Sequence, residues 1–181
     1  PYSCDVARIG DIHLDRSGRQ RGKGGSMKGW FLLYHSPKAY KQILAGFERL
    51  SVTHYTPLLT VITKRADSKT SVRINQRPLF PAYLFLCFDP EVVHTTKITQ
   101  LIGVNEFVKI GGKIRPLPEA VIAGLRYLEL TEVDKSDQSV SYSNVPVDLL
   151  AKLEEINGQS EPVNRMASLI NFLDGYVRTA H

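Results

Sequence analysis

The chain has 181 residues, 43% hydrophobic and 23% charged, with a formal net charge of +5 and a pI near 9.2. That length holds one ordinary domain or a compact domain with a small appendage, and no apolar run reaches the roughly 18 to 20 residues that span a bilayer. A membrane protein is therefore not expected, and the modest positive balance is compatible with a phosphate-bearing partner.

Residues 1–26 end in a Gly-rich, basic run, carry charges throughout and contain no continuous apolar segment. They read as a flexible extension ahead of Met27, not as a secretory signal, and a cytoplasmic protein is expected. The folded unit is expected over 27–128. GWFLLYH (29–35) is apolar and aromatic without interruption, as a buried strand is. Ser36-Pro37 then offers an N-cap and a proline at the first helical position, and Tyr40, Ile43, Leu44, Phe47 and Leu50 recur at three- and four-residue steps, which predicts an amphipathic helix.

VTHYTPLLTVIT (52–63) is rich in β-formers and predicts a strand. Lys64, Arg65, Lys69, Arg73 and Arg77 follow with only Asp67 against them, either a solvated hairpin tip or a phosphate-contacting arm. LFPAYLFLCF (79–88) predicts the next strand, Pro90-Glu91 a short helix to about Leu101, GVNEFVKI (103–110) a further strand, and Gly111-Gly112 a turn. A helix is expected from Pro118, with Val121, Ile122 and Leu125 on its apolar side. The order β-α-β-β-α-β predicts an α+β sheet with helices mainly on one face. Residues 129–144 are polar and read as a linker.

Residues 145–181 carry two sets of signals. Val147, Leu150 and Leu153 lead to Gly158, and Met166, Leu169, Ile170, Leu173 and Val177 follow Pro162 at helical spacing, which together describe a helical hairpin. Asn157-Gly158 and Asp174-Gly175, each flanked by apolar residues, are also strong signals for β-hairpins. Local preference does not choose between them.

No Ser-His-Asp, paired-carboxylate or phosphate-loop pattern is present, and His13, His35, His54, His94 and His181 lack ligand spacing. Cys4 and Cys87 stand without a CxxC pattern, which argues against a disulfide framework and a zinc site, and Cys87 reads as a small buried apolar residue. No enzyme activity, cofactor or metal is expected. A free-standing nucleic-acid-binding module that dimerises through an apolar patch is compatible with the basic stretch and the pI.

The run RPLFPAYLFLCFDPEVVHTT (77–96) joins large apolar side chains to a polar His-Thr-Thr cluster. PLFPAYLF and FDPEVVHTT, preceded by WFLLY and followed by GVNEFVKIGG, closely resemble the N-terminal domain of NusG-family transcription elongation factors, especially the specialised RfaH-like paralogues. The resemblance covers residues 29 to about 125, and RMASLINFLDGYVR (165–178) resembles the C-terminal region of RfaH-like proteins, without the Gly-Asp that opens a KOW domain.

The resemblance implies an antitermination factor that binds the clamp helices of the largest RNA polymerase subunit through Tyr34, Phe80, Pro81, Tyr83 and Phe85. It implies a gate-loop contact on the second-largest subunit from His94, Thr95 and Thr96. Contact with the non-template DNA strand is assigned to Lys38, Lys41, Gln42, Arg49, Lys64, Arg65, Lys69 and Lys97. Ser36, Ala39, Gly46 and Ile102 depart from the family's polar and basic DNA-reading residues. The C-terminal segment is expected to pack over Tyr34, Phe80 and Tyr83 through Leu150, Leu153, Leu169, Ile170 and Leu173, masking the polymerase site, and when released to re-pair as strands that recruit a ribosomal protein. Arg77 and Arg165 stand where an acid-base pair would hold the two parts together.

Overall fold

Successive side chains of a strand point to opposite faces, so an uninterrupted apolar strand needs cover on both sides. Two such strands pair here. β1 (Gly29–His35) runs antiparallel to β5 (Tyr83–Phe88), with Trp30 opposite Cys87, Leu32 opposite Phe85 and Tyr34 opposite Tyr83. The computed structural model describes residues 28–64, 72–133 and 145–179. β2 (Thr53–Tyr55) pairs with the far side of β5 and β6 (Val104–Phe107) with the far side of β1, giving an antiparallel sheet of order β2-β5-β1-β6.

One face of the sheet carries Phe31, Leu33, Leu84, Leu86, Phe88 and Phe107. These pack against Ile43 and Phe47 of α1 (Tyr40–Arg49) and Ile98 of α2 (Thr95–Thr99). The opposite face carries Trp30, Leu32, Phe85 and Cys87, and three helices supply its cover: α3 (Glu119–Val133), α4 (Val147–Asn157) and α5 (Pro162–Thr179). The expectation of helices mainly on one face is thus corrected. Continuous apolar strands such as YLFLCF cannot leave either side to water, each large side chain being worth roughly 1.5–3 kcal/mol when buried.

Three further expectations change. The strand expected over 52–63 breaks at Thr56-Pro57 into β2 and β3 (Leu58–Lys64), because proline has no N–H for a ladder. β3 pairs with β4 (Val72–Pro78) in a separate two-stranded sheet, so the basic arm is a hairpin with its own strand, and the observed order is longer than β-α-β-β-α-β. The helix expected from Pro90 begins only at Thr95: Asp89 closes a turn by accepting bonds from the N–H groups of Glu91 (2.9 Å, side chain), Val92 and Val93 (3.0 and 2.8 Å, backbone). Finally, α3 extends through 129–133, the first part of the expected linker. Cys87 is 1% exposed, as expected, but is not a free thiol.

Residues 145–179, where strand and helix signals compete, form two helices joined by a short turn at 158–161. Gly158 ends α4 by donating its N–H to the Glu154 carbonyl at 2.9 Å, and Asp174-Gly175 lies inside α5. Burial decides the local ambiguity: Leu149, Leu153, Ile156, Met166, Leu169 and Leu173 fall on one helical face and enter the core under the sheet.

One position illustrates how tightly the layers meet. Gly103 has φ +92°, its carbonyl accepts from Ser36 N–H at 2.8 Å, and a Cβ there would stand 2.1 Å from the Ala39 Cβ. Gly103→Ala should therefore cost on the order of 3 kcal/mol, read as a lower urea midpoint at unchanged slope.

His35 is 3% exposed at the end of β1, and burial holds its imidazole below the ordinary 6.5, although the Ser36 carbonyl, accepting from Nδ1–H at 3.1 Å, opposes the shift. Above pH 6.5 the ring is neutral in both states. As pH falls through that value the unfolded chain binds the proton first, so stability declines until the folded pKa is passed. Urea titrations between about pH 7.5 and 5.5 should show this decline, with a shallower slope in His35→Gln.

Candidate functional site

The face of β1 and β5 that carries Trp30, Leu32 and Phe85 ends in an aromatic edge. Tyr34 and Tyr83 are directly opposed, with ring centroids 5.2 Å apart at 36°, and Tyr34 is 37% exposed. Burial raises the Tyr83 phenol above its ordinary range, helped by Tyr34 and by the carboxylate of Glu106, the residue opposite Tyr34 on β6. Pro81 is exposed beside this pair. The remaining two residues of the proposed set go inward: Phe80 is 1% exposed and Phe85 fully buried, their rings T-shaped at 6.3 Å. Both belong to the core that includes Met166, Leu169 and Leu173 of α5, with Tyr83 packed against its margin. The five residues divide into an inner aromatic pair, in the core to which α5 also contributes, and an outer part in which Tyr34 and Pro81 are exposed and Tyr83 is half-buried.

Of the residues expected between the two parts of the chain, Leu153, Leu169 and Leu173 are buried, and Ile170 packs against the same core. Leu150 is half-buried near Gly124 of α3, where a Cβ would meet Leu153 Cδ1 at 2.6 Å and Leu150 Cδ2 at 3.7 Å. Hydrogen bonds tie α5 to the rest of the domain: Arg165 Nε–H donates to the Leu79 carbonyl at 3.1 Å, and Gly111 N–H to Asp174 Oδ1 at 2.7 Å. Gly111 is free to donate because it and Gly112, at φ +59° and +78°, form the tight turn that returns Lys113 to Ile110.

His94, Thr95 and Thr96 open α2. The His94 ring is its N-cap: Nδ1 accepts from Thr96 N–H at 3.3 Å and hydrogen-bonds Thr96 Oγ1 at 2.6 Å. His94 and Thr96 are exposed, and Thr95 is half-buried.

Lys38, Lys41 and Gln42 line an open hollow of 620 Å³ at the start of α1, and Gln42 and Arg49 line a second of 410 Å³ with Ala45, Gln100, Leu101 and Ile102. Lys97 is exposed in the last turn of α2. Arg65, Lys69 and the side chain of Lys64 lie outside the described residues. Two departures from the family's polar residues have a packing reason. Gly46 is buried, and a Cβ there would stand 2.8 Å from both methyl carbons of Leu101; Ala39 seats against Gly103. Gly46 therefore faces α2 and the residues after it, not solvent. Ile102, by contrast, is 79% exposed at the mouth of the second hollow.

A polar cluster under the β3–β4 hairpin leaves little trace in the sequence. Glu129 of α3 accepts from Tyr55 O–H at 2.8 Å and from the Leu58 N–H, and the Arg126 guanidinium lies 5.3 and 5.1 Å from the ring centroids of Trp30 and Tyr55. Burial raises the Glu129 carboxyl above its ordinary range against these three partners. Glu129 opens the polar run 129–144 that reads as a linker, and the helical run from Pro118 is its only local signal.

The described residues define an α+β domain with an aromatic sheet edge on one face and the lysine, arginine and glutamine side chains of α1 and α2 on the helices that cover the other. Residues 28–126 match the family described as transcription termination factor NusG, more than half of the 181-residue chain, and the chain belongs to the NusG family. Members of this family are transcription termination and elongation factors that bind RNA polymerase and are not enzymes. No helix among the described residues is long and apolar enough to cross a membrane.

The turn that presents the rim is strained: Ala82 has φ +68°, held by His35 N–H donating to its carbonyl at 2.8 Å. Ala82→Gly should relieve this and raise stability by about 0.5 to 1 kcal/mol, the left-handed penalty less the added freedom of the unfolded glycine, measurable as a higher urea midpoint.

Proposed function

We propose that this NusG-family chain is a specialised, RfaH-like elongation and antitermination factor. It binds the clamp helices of the largest RNA polymerase subunit through Tyr34, Phe80, Pro81, Tyr83 and Phe85. His94, Thr95 and Thr96 reach the gate loop of the second-largest subunit, so that the factor bridges the DNA cleft and favours the closed clamp, reducing pausing and termination. Lys38, Lys41, Gln42, Arg49 and Lys97, together with the basic hairpin bearing Lys64, Arg65 and Lys69, face the non-template strand through phosphate contacts.

The observation that carries the reading is the split of the aromatic face, with Phe80 and Phe85 sharing one core with Met166, Leu169 and Leu173 while Tyr34 and Pro81 stay exposed. A polymerase helix that needs the inner pair must displace α5, so the fraction of undocked chain sets the apparent affinity. The undocked segment, with its Asn157-Gly158 and Asp174-Gly175 turn signals, is available to re-pair as strands and recruit a ribosomal protein.

Binding of core polymerase without nucleic acid separates this reading from a dimerising nucleic-acid module. Leu169→Asp, which puts a carboxylate where Leu169 is fully buried, should undock α5 and tighten polymerase binding by about tenfold or more. Tyr83→Ala should weaken it by about 2 kcal/mol in either background. Unchanged affinity in Leu169→Asp, with undocking verified by exchange of the α5 amides, would remove the masking role.

Replacing His94, Thr95 and Thr96 together by alanine should leave recruitment within about threefold of the parent while reducing read-through of pause sites in a single-round transcription assay. Loss of recruitment in parallel with activity would contradict the division of labour.

A further inference from the structure

In an antiparallel sheet, directly opposed residues stand side by side on one face. Tyr34 of β1 is opposed by Tyr83 of β5 on one side and by Glu106 of β6 on the other, so the three side chains form a single row, Glu106-Tyr34-Tyr83, across three strands. The neighbouring row, Phe107-Leu33-Leu84, lies on the opposite face under α1 and α2, as strand alternation requires. The Glu106 row is open to water: Glu106 is exposed, Tyr34 is 37% exposed and Tyr83 is half-buried, with the two tyrosine rings 5.2 Å apart.

This row is electronegative. The face of each tyrosine ring carries the negative side of its quadrupole, and the Glu106 carboxylate adds a full charge beside it. No basic side chain of the chain itself answers that charge among the described residues, where the ion pair present is Lys152 with Glu155 on α4. The carboxylate also helps to raise the Tyr83 phenol, two strands away, so its field spans the row. A purely apolar partner laid over these residues would desolvate Glu106 and return nothing for it. A cation meets both parts of the row, through an ion pair with the carboxylate and through the ring faces.

We propose that Glu106, Tyr34 and Tyr83 together hold one basic side chain, an arginine or a lysine, presented by the polymerase helix that docks on the aromatic edge. The proposal rests on the reading of that edge as the polymerase site and adds to it the chemistry of the partner. Glu106 is then a specificity residue: it selects, among helices with a suitable apolar surface, those that carry a cation in register with Tyr34. Because the row is exposed with α5 in place, it is available at first encounter, before the buried Phe80 and Phe85 are reached. Its charge acts mainly on the rate of association.

The test is binding of the full chain to core RNA polymerase without nucleic acid, with equal urea midpoints showing that the variants at these exposed positions are folded. At about 0.1 M salt, Glu106→Gln should weaken binding by about threefold and Glu106→Lys by about tenfold or more, chiefly through slower association. At about 0.5 M salt the Glu106→Gln difference should fall below about 1.5-fold. Glu48→Gln, an equal charge change at an exposed position on α1, should leave affinity unchanged. Tyr34→Phe, which keeps the ring face, should bind within about twofold of the parent, and Tyr34→Leu should be about threefold weaker. Affinity of Glu106→Gln equal to the parent, a loss that salt does not reduce, or an equal loss in Glu48→Gln would overturn the proposal. If Tyr83→Ala still weakens binding in that case, the aromatic site stands and only its cation is lost; if Tyr83→Ala binds like the parent, both readings fall.

Discussion

The pairing of β1 with β5 governs the rest of the molecule. Its register puts Trp30, Leu32, Phe85 and Cys87 on one side and Phe31, Leu33, Leu84 and Leu86 on the other, every one of them buried. A one-residue slip of β1 against β5 would put the two faces of β1 on the wrong sides and part Tyr34 from Tyr83. Both faces need cover, and the two covers differ in kind. Residues between β1 and β6 supply one of them, α1 and α2, within a short span of chain. The other needs α3 and then α4 and α5 from beyond 134–144.

That asymmetry relates the fold to the proposed activity. The face under α1 and α2 is closed by local connections and by backbone approaches, such as Gly103 on Ala39, that leave no room for rearrangement. The face under α4 and α5 is closed by helices that follow the family-matched segment 28–126 and are tied across it by hydrogen bonds from Arg165 and to Asp174. Apolar burial does most of the holding there, and apolar surfaces exchange partners more readily than directional bonds do.

Much of the first face was legible in the sequence, because Ile43 and Phe47 announce a helix by spacing and WFLLY and YLFLCF announce strands by continuity. What failed there was subtler: two-sided burial follows from those same continuous runs, yet helices were expected mainly on one side. Pro57 divides a run of β-formers whose composition describes a single strand. The basic arm hid β4 because its charged and polar residues obscure alternation. Within the candidate site, Tyr34 and Tyr83 come from the family resemblance, and strand alternation says only that the set cannot all be buried. The inward turn of Phe80 is not legible from either, because it depends on the Pro81-Ala82 turn and on core residues more than 80 positions later. The C-terminal ambiguity was of the same kind, since NG and DG favour turns locally and only the waiting apolar face gives helices an advantage.

Glu129 has a mechanical consequence. One carboxylate on α3 grips the hydroxyl of Tyr55 at the end of β2 and the backbone of Leu58 at the start of β3, on either side of Pro57. The β3–β4 hairpin projects from that point, and α4 packs on α3 near Gly124, about one and a half helical turns before Glu129. The grip works as a hinge pin through the base of the arm: sliding or tilting α3 drags the root of the hairpin with it. The attitude of the basic arm and the seating of the C-terminal helices are thereby geared to the same rod.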